Sequence, residues 1–360
     1  MCPVKKQPSK VPSDFENLRE SYRRYLNRKL IFIVILTAIL VIIAGISTIM
    51  GSYPIGFFEV YSIIFHYFLN NTDTVTEFVV MDLRLPRVIM GIFAGFGLAV
   101  AGTVMQCTLK NPLADPYTTG ISAGAGFGAA IAIILNLSFF SKDLMIIGNA
   151  FIFSLIPTFF VISLTYFRRA TPSIMVLAGI AILYIFSAMT TLVMFFADPD
   201  SVEAVYFWTV GTLDKADWDS AIIVTIVVII ASILLLLKAK EYNIINTGDE
   251  SAKSLGVNVT RNRNYSLLIV SILTATIVSF TGTIGFVGLV SAHLCRIFIG
   301  ADNRYLIPAS GIFGGALLLG ADSIARTIIS PTVLPVGVIT AFIGGPLFLY
   351  LIMKQRKSLW

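Results

Sequence analysis

The chain has 360 residues, of which 56% are hydrophobic and 13% are charged. Because soluble globular domains carry roughly 25% charged residues, this composition excludes an ordinary soluble domain and indicates a membrane protein. The formal net charge is +6, and its distribution along the chain fits a membrane orientation without any nucleic-acid partner.

Residues 1–29 contain eight Lys or Arg and are predicted to form a basic, partly disordered cytoplasmic arm. The alternative for the apolar run that follows is a secretory signal peptide. That alternative fits poorly, because the run exceeds the usual length of about 7–15 residues and no small-residue cleavage site follows it.

Nine charge-free runs follow, each long enough for the roughly 20 helical residues that cross a hydrocarbon core. They are 30–50, 88–109, 117–141, 144–167, 170–197, 220–237, 264–295, 305–321 and 327–353. The run 264–295 is too long for one span, and two glycines near its centre indicate a break at 281–285. The sequence therefore predicts an all-α, polytopic fold with ten transmembrane helices in one membrane domain, 30–353, and a short cytoplasmic tail, 354–360.

An even number of spans places both termini on the same side of the membrane. With the N-terminus inside, 21 of the 26 Lys and Arg fall on the inner side, and the five outer cations are Arg84, Arg87, Lys142, Lys215 and Arg326. Cytoplasmic loops are enriched in Lys and Arg. This asymmetry predicts cytoplasmic termini and a multi-pass protein of the cytoplasmic (inner) membrane.

Two long outer loops are predicted to lie at the membrane boundary. Residues 57–69 in the first are apolar enough for a helix in the interface, and the second, 198–219, is acidic and contains two tryptophans. Within the spans, small residues recur every four positions, as at Gly91 and Gly95. Such spacing predicts close packing of helices in lipid.

The spans nearly lack Lys, Asp and Glu at their centres, where proton- and ion-coupled carriers usually keep ionisable groups. The sequence also lacks the Gly-x-x-x-x-Gly-Lys-Ser/Thr loop of ATP-hydrolysing proteins. Together these features predict a transport protein that a separate ATPase drives. Cys2, Cys107 and Cys295 have no metal or redox spacing, so no metal site or cofactor is predicted.

A polar segment at 239–264 is the longest on the predicted cytoplasmic face. Thr247 is predicted to cap a short helix with Glu250 three residues further on, and Gly256 to end it. One or two short amphipathic helices on the surface would form a site that a peripheral ATPase could bind. A solvated loop is the alternative interpretation.

Several motifs occur along the chain in a fixed order. They are Leu83-Arg-Leu-Pro-Arg-Val88, Gly102-Thr-Val-Met-Gln-Cys-Thr-Leu-Lys-Asn-Pro-Leu-Ala-Asp-Pro116, Gly120-Ile-Ser-Ala-Gly-Ala125, Trp208-Thr-Val-Gly-Thr-Leu213, Ser254-Leu-Gly256, Gly285-Phe-Val-Gly-Leu-Val290 with His293 and Arg296, Ala321-Asp-Ser-Ile-Ala-Arg326 and Leu334-Pro-Val-Gly-Val-Ile-Thr340. In content and spacing, from about residue 30 to the C-terminus, they resemble the permeases of vitamin B12 and iron-siderophore ABC importers.

This resemblance implies a homodimer of ten-helix subunits, or a pseudo-dimer with a sister permease, around a central path. Two ABC ATPase subunits would bind on the cytoplasmic side and one extracytoplasmic substrate-binding protein on the other. The substrate implied is a large metal chelate, and an iron siderophore, haem and cobalamin all remain open.

The resemblance also implies three sets of functional positions. ATPase coupling is expected at Thr247, Gly248, Asp249, Glu250, Ser251, Ala252, Lys253, Ser254, Leu255 and Gly256. The inner gate is expected at Asn111, Pro112, Leu113, Thr171, Pro172 and Ser173. Docking of the binding protein is expected at Arg84, Arg87 and Arg326, with Asp322 placed to hold Arg326 in an intrahelical pair. The family pattern differs at Pro172, Ala292 and Val333.

Two functions of other classes also fit parts of the sequence. Gly120-Ile-Ser122-Ala-Gly124 formally matches the Gly-x-Ser-x-Gly motif of serine hydrolases, and His293 could supply a base, as in an intramembrane protease. A secondary carrier or channel is the second alternative, and transport without ATP would distinguish it.

Overall fold

The computed structural model of the chain describes residues 11–51, 53–66, 74–138, 140–141, 144–168, 171–329 and 332–354. Among these residues every regular element is helical, which agrees with the predicted all-α class. The helices are α1 (Val11–Ile49), α2 (Phe57–His66), α3 (Val75–Phe78), α4 (Leu85–Thr108), α5 (Ile121–Leu135), α6 (Met145–Arg168), α7 (Pro172–Phe195), α8 (Pro199–Val210), α9 (Trp218–Leu237), α10 (Ala239–Asn246), α11 (Asp249–Ser254), α12 (Val259–Thr281), α13 (Val287–Ile299), α14 (Asn303–Thr327) and α15 (Val336–Lys354).

Two further helical turns occur among the described residues. A π-helical turn, Val79–Arg84, joins α3 to α4, and a 3-10 turn, Pro116–Thr119, precedes α5. Parts of some predicted segments lie outside the described residues. They are the first ten residues of the arm, the last three of the interfacial stretch 57–69, Lys142 and the tail after residue 354.

Within the part of the chain that the structure describes, seven helices are long and apolar enough to cross a membrane. They are Asn17–Ile49, Val75–Thr108, Met145–Phe167, Pro172–Phe195, Trp218–Leu237, Val259–Thr281 and Asn303–Thr327. The remaining predicted spans correspond to shorter apolar helices in α5, α13 and α15. The predicted break at 281–285 is present, because α12 ends at Thr281 and α13 begins only at Val287.

The short length of α5 and α13 has a local cause. The backbone N–H of Ile284, in the break before α13, donates to the hydroxyl of Tyr117 over 3.2 Å. Tyr117 lies in the 3-10 turn that precedes α5, and Gly120 after it has a φ of 90° beside Pro157 of α6. A 3-10 turn before α5 and irregular backbone before α13 therefore lie inside the bundle, and each shortens the α-helix that follows it.

The predicted arm is helical from Val11, because α1 continues without interruption for 39 residues, or about 58 Å at 1.5 Å per residue. Glu20 and Arg24 form an i,i+4 ion pair of 3.1 Å on its polar part. Lys29, which is 2% exposed, lies between the rings of Tyr25 and Tyr305. The helix thus enters the bundle already anchored to the start of α14.

Helix α4 is the central element, and α14 packs along it in the antiparallel direction. The contact is close because a Cβ atom on Gly95 would overlap the carbonyl oxygen of Gly314. On another side of α4, a Cβ on Gly102 would lie 2.7 Å from the Cα of Gly288 in α13. These approaches confirm the packing role predicted for the small residues, and they make α4 a continuous connection between the two ends of the bundle.

Candidate functional site

The polar segment 239–264, which includes the predicted coupling residues, forms two short helices, α10 and α11, before α12 begins. The prediction that Thr247 caps the second helix is wrong. Thr247 has helical backbone angles at the end of α10, and its hydroxyl donates back to the carbonyl of Ile244 over 2.8 Å. Gly248, with a φ of 127°, makes the turn and occupies the N-cap position of α11.

The prediction for the other end of α11 is confirmed. The helix ends at Ser254, and Gly256 follows with a φ of 84°, in the left-handed region that favours glycine. The backbone N–H of Val257 then donates to the carbonyl of Ala252 over 2.9 Å, which closes the helix end.

One side of α11 is anchored and the other is exposed. Ala252 is fully buried and packs with Ile245 and Val259. Glu250, Ser251, Lys253, Ser254 and Leu255 are exposed, and Leu255 keeps 67% of its surface accessible. The exposed side of α11 thus carries polar and charged side chains with one apolar residue, Leu255, among them.

Asp249, the first residue of α11, forms an ion cluster with Lys110 and Arg263. Its carboxylate lies 2.5 Å from Lys110 Nζ and 3.2 Å from Arg263 Nη2. Arg263 Nε also donates to the carbonyl of Thr108, the last residue of α4, over 3.1 Å. Burial alone would raise the pKa of Asp249, but the hydrogen bond from Lys110 and the charge of Arg263 hold it below its ordinary value. We call these three residues the Asp249 cluster.

The predicted gate loop begins at one member of this cluster. Lys110 has a φ of 48°, which is uncommon for a residue with a side chain. The next residue, Asn111, donates its N–H to the carbonyl of Gln106, and its side-chain oxygen accepts from the N–H of Leu113 over 2.9 Å. Leu113 is 48% exposed. The conformation of the loop therefore depends directly on the backbone at Lys110.

The second predicted gate segment lies near the same cluster. Thr171 caps α7 by accepting from the N–H of Ile174, and Pro172 occupies the first helical turn. Proline is favoured there because its missing N–H has no partner to lose, which explains this departure from the family pattern. A cavity of about 570 Å³ is lined by Thr165, Tyr166, Thr171, Pro172, Asp249, Lys253, Val259, Thr260 and Arg263. Part of the second gate segment thus shares a cavity with α11, whereas Asn111 and Leu113 do not line it.

Helix α10 is tied to the start of α14. The side chain of Asn243 donates to Asp302 over 2.7 Å and accepts from the backbone N–H of Asn303 over 2.8 Å. Arg304 pairs with the same carboxylate at 2.8 Å. Burial opposes ionisation of Asp302, but hydrogen bonds from Arg304 and Asn243 prevail and lower its pKa to about 2. The coupling segment is therefore held to both α4 and α14.

At the other end of α4 the structure brings the three predicted docking arginines together. Arg87 donates from Nε and Nη2 to Asp322 at 3.0 and 2.7 Å, and its Nη1 contacts Asp214. Arg326 Nε lies 3.0 Å from Asp322, which confirms the predicted intrahelical pair. We call Arg84, Arg87, Asp214, Asp322 and Arg326 the arginine cluster.

Two of these arginines also hold the end of α1. Arg84 donates from Nη1 to the carbonyl of Ile49 at 2.7 Å and from Nη2 to that of Tyr53 at 2.5 Å. Arg326 donates to the carbonyls of Met50 and Ser47 at 3.0 and 3.2 Å. The last carbonyls of a helix have no partner within it, and a cation there also complements the helix dipole.

These arginines are more buried than expected for residues that dock a partner protein. Arg84, Arg87 and Arg326 are only 5%, 8% and 6% exposed. The side chain of Asp214 is 48% exposed, whereas that of Asp322 is fully buried. Sequence reasoning missed Asp214, Lys110 and Arg263, because each is recognised only by a partner far away in the chain.

The constellation required for a serine protease is not assembled. Ser122 lies on α5, which packs mainly against α6 and α7, and His293 lies on α13, which packs mainly against α4 and α14.

Known proteins resemble this chain over nearly its whole length. The family model described as the FecCD transport family matches residues 29–354. A Methanocaldococcus jannaschii protein described as an ABC transporter permease, MJ0087, is 42% identical over 95% of this chain and 99% of its own length. The hemin transport system permease HmuU of Yersinia pestis is 36% identical over 90% of this chain and 95% of its own.

A third relative and one solved structure extend the comparison. The cobalamin import system permease BtuC of Halobacterium salinarum is 39% identical over 78% of this chain and 74% of its own length. A structure described as an inward-facing conformation of a metal-chelate type ABC transporter superposes with a TM-score of 0.79 at 28% identity. It covers 90% of this chain and 99% of its own.

Proposed function

The chain belongs to the FecCD transport family and is the multi-pass membrane permease of an ABC importer for haem, cobalamin or iron chelates, and we propose how its parts divide that work. As the permease it is not itself catalytic, and the energy comes from partner ATPase subunits. Membership excludes the protease and secondary-carrier alternatives, and the substrate-binding protein is its other partner.

The proposed topology has ten spans with both termini in the cytoplasm. Each of the ten apolar segments contains a helix, and among the described residues seven of these helices are long enough to cross the membrane alone. Of the three shorter helices, α5, α13 and α15, the first two are preceded by backbone folded into the bundle, which supplies the remaining depth. With this topology the Asp249 cluster faces the cytoplasm and the arginine cluster faces outward.

The single observation that carries the proposed mechanism is the Asp249 cluster. The carboxylate of the cluster, Asp249, belongs to α11. The exposed residues of α11, which lie within the segment 247–256, are the proposed ATPase contact. The two cations of the cluster belong to the end of α4 and the start of α12. A displacement of α11 by the ATPases would therefore pull on Lys110 and change the gate loop that follows it.

The proposed inner gate consists of Asn111, Pro112 and Leu113 together with Thr171, Pro172 and Ser173. Leu113 is half-exposed, as a residue that meets its counterpart across a dimer axis must be. A second copy of this chain, or a sister permease, would supply that counterpart. Alternating access requires this gate to close when the outer one opens.

The proposed docking site for the binding protein is the arginine cluster. Arg84 and Arg326 are occupied by the end of α1, so they position the cluster and add positive charge. Arg87 is the arginine whose partner, Asp214, remains accessible. Carboxylates on the binding protein would approach Arg87 from that side.

Assembly and substrate class can be tested together. The chain would be expressed with its candidate ATPase and binding protein, and the purified binding protein would be titrated with haem, cobalamin and a ferric siderophore. We expect a complex containing two ATPase subunits and micromolar or tighter binding of one chelate. A permease that purifies without ATPase, beside a binding protein that takes none of the three, would overturn the proposal.

A further inference from the structure

Asp214 is the most exposed member of the arginine cluster. It lies between α8 and α9, and its side chain is 48% exposed, whereas that of Arg87 is 10% exposed. Arg87 directs Nε and Nη2 to the buried Asp322 and only Nη1 to Asp214. Asp214 is therefore the carboxylate that another carboxylate from outside would meet first.

The backbone on which Asp214 stands is fixed. The N–H of Thr212 donates to the carbonyl of Thr281 over 2.8 Å, and the N–H of Gly337 donates to the carbonyl of Gly211 over 3.3 Å. Leu213 is 1% exposed and packs against Gly91. The side chain of Asp214 can leave Arg87 by rotation alone, without displacing this backbone.

The two carboxylates of the cluster differ in what their loss would cost. Asp322 is fully buried and compensates both Arg87 and Arg326, so it has no replacement. Asp214 pairs with only one edge of the Arg87 guanidinium, near the surface. Water or another carboxylate can replace it there. Exchange of partner at this position is therefore possible without leaving a buried charge unpaired.

We propose that Asp214 is an internal competitor for the docking site: it holds Arg87 in the free permease, and a carboxylate of the acidic partner surface displaces it. This inference rests on the proposed docking function of the arginine cluster. While Asp214 is bound to Arg87, it lowers the affinity of the permease for the binding protein. A partner surface without a carboxylate positioned to replace Asp214 would dock less favourably.

The test measures binding of the co-purified substrate-binding protein to permease in lipid nanodiscs, by biolayer interferometry. Asp214→Asn should tighten binding about two- to fivefold, the range by which an exposed ion pair changes an equilibrium. Asp219→Asn is the matched control, because Asp219 is exposed on the neighbouring turn and its loss removes the same charge. The tightening should disappear when Asp214→Asn is combined with Arg87→Gln.

The outcomes separate this inference from the docking proposal. If Arg87→Gln weakens binding but Asp214→Asn leaves it unchanged or weaker, the arginine cluster docks the partner and the competitor role is wrong. Equal tightening by Asp219→Asn would also overturn the competitor role, because general charge repulsion would then explain it. If Arg87→Gln has no effect in a folded permease, the docking proposal and the inference fail together.

Discussion

Replacing Lys110 by Met should uncouple ATP hydrolysis from transport while leaving the fold intact. The change removes the charge that joins the gate loop to Asp249 and keeps an unbranched side chain that is one atom shorter. Lys110 and Asp249 are 29% and 34% exposed, so the pair contributes at most about 1 kcal/mol to stability. Arg263 still holds Asp249 at 3.2 Å, and α11 should stay in place.

The functional effect follows from the same magnitude. If about 1 kcal/mol of the ATPase-driven displacement reaches the gate through this pair, its loss changes the ratio of gate states about fivefold. We therefore expect about five times more ATP hydrolysed per substrate imported, measured in proteoliposomes that contain the whole complex. The melting temperature should change by no more than a few degrees.

A matched variant controls for loss of cytoplasmic charge. Lys240→Met removes an exposed lysine of α10 and should leave the coupling ratio unchanged. The reasoning is refuted if Lys110→Met keeps the wild-type ratio. It is equally refuted if ATPase activity and transport fall in parallel, because that result would mean that the ATPases no longer bind.

Three further predictions concern the arginine cluster, the end of α11 and the gate loop. Asp322→Asn should lower the free energy of unfolding by about 3–5 kcal/mol, because it leaves buried guanidinium groups without their carboxylate; a detergent-denaturation loss below about 1 kcal/mol would contradict this. Gly256→Val should reduce ATP-driven uptake without loss of the dimer, since β-branched residues disfavour a φ of 84°, whereas Gly256→Asn, which tolerates that region, should keep most uptake. Leu113→Cys should crosslink to its counterpart in one nucleotide state and less in another; crosslinking that ignores nucleotide would remove Leu113 from the gate.

The helices and their breaks could be predicted because they follow from local composition. Charge-free runs located the apolar helices, and glycines located the break after α12 and the end of α11 at Gly256. Thr247 shows the limit of such reasoning. Its spacing to Glu250 fits a capping box, but Gly248 after it provides a left-handed turn, and the end of α10 uses the threonine hydroxyl instead.

The ion clusters could be predicted only in part, because they join residues far apart in the chain. Arg326 and Asp322 are one helical turn apart, and their pair was predicted. Arg87 and Asp214 are separated by 127 positions, and no local pattern connects them. The burial of Arg84 also depends on distant structure, since its guanidinium serves carbonyls at the end of α1.

The most direct test of the account is accumulation of a chelate inside proteoliposomes that contain this permease, its ATPase and its binding protein. We predict uptake of the chelate that the binding protein retains, only with hydrolysable ATP and only with the binding protein present. Uptake by the permease alone, at the same rate with and without ATP, would contradict the account.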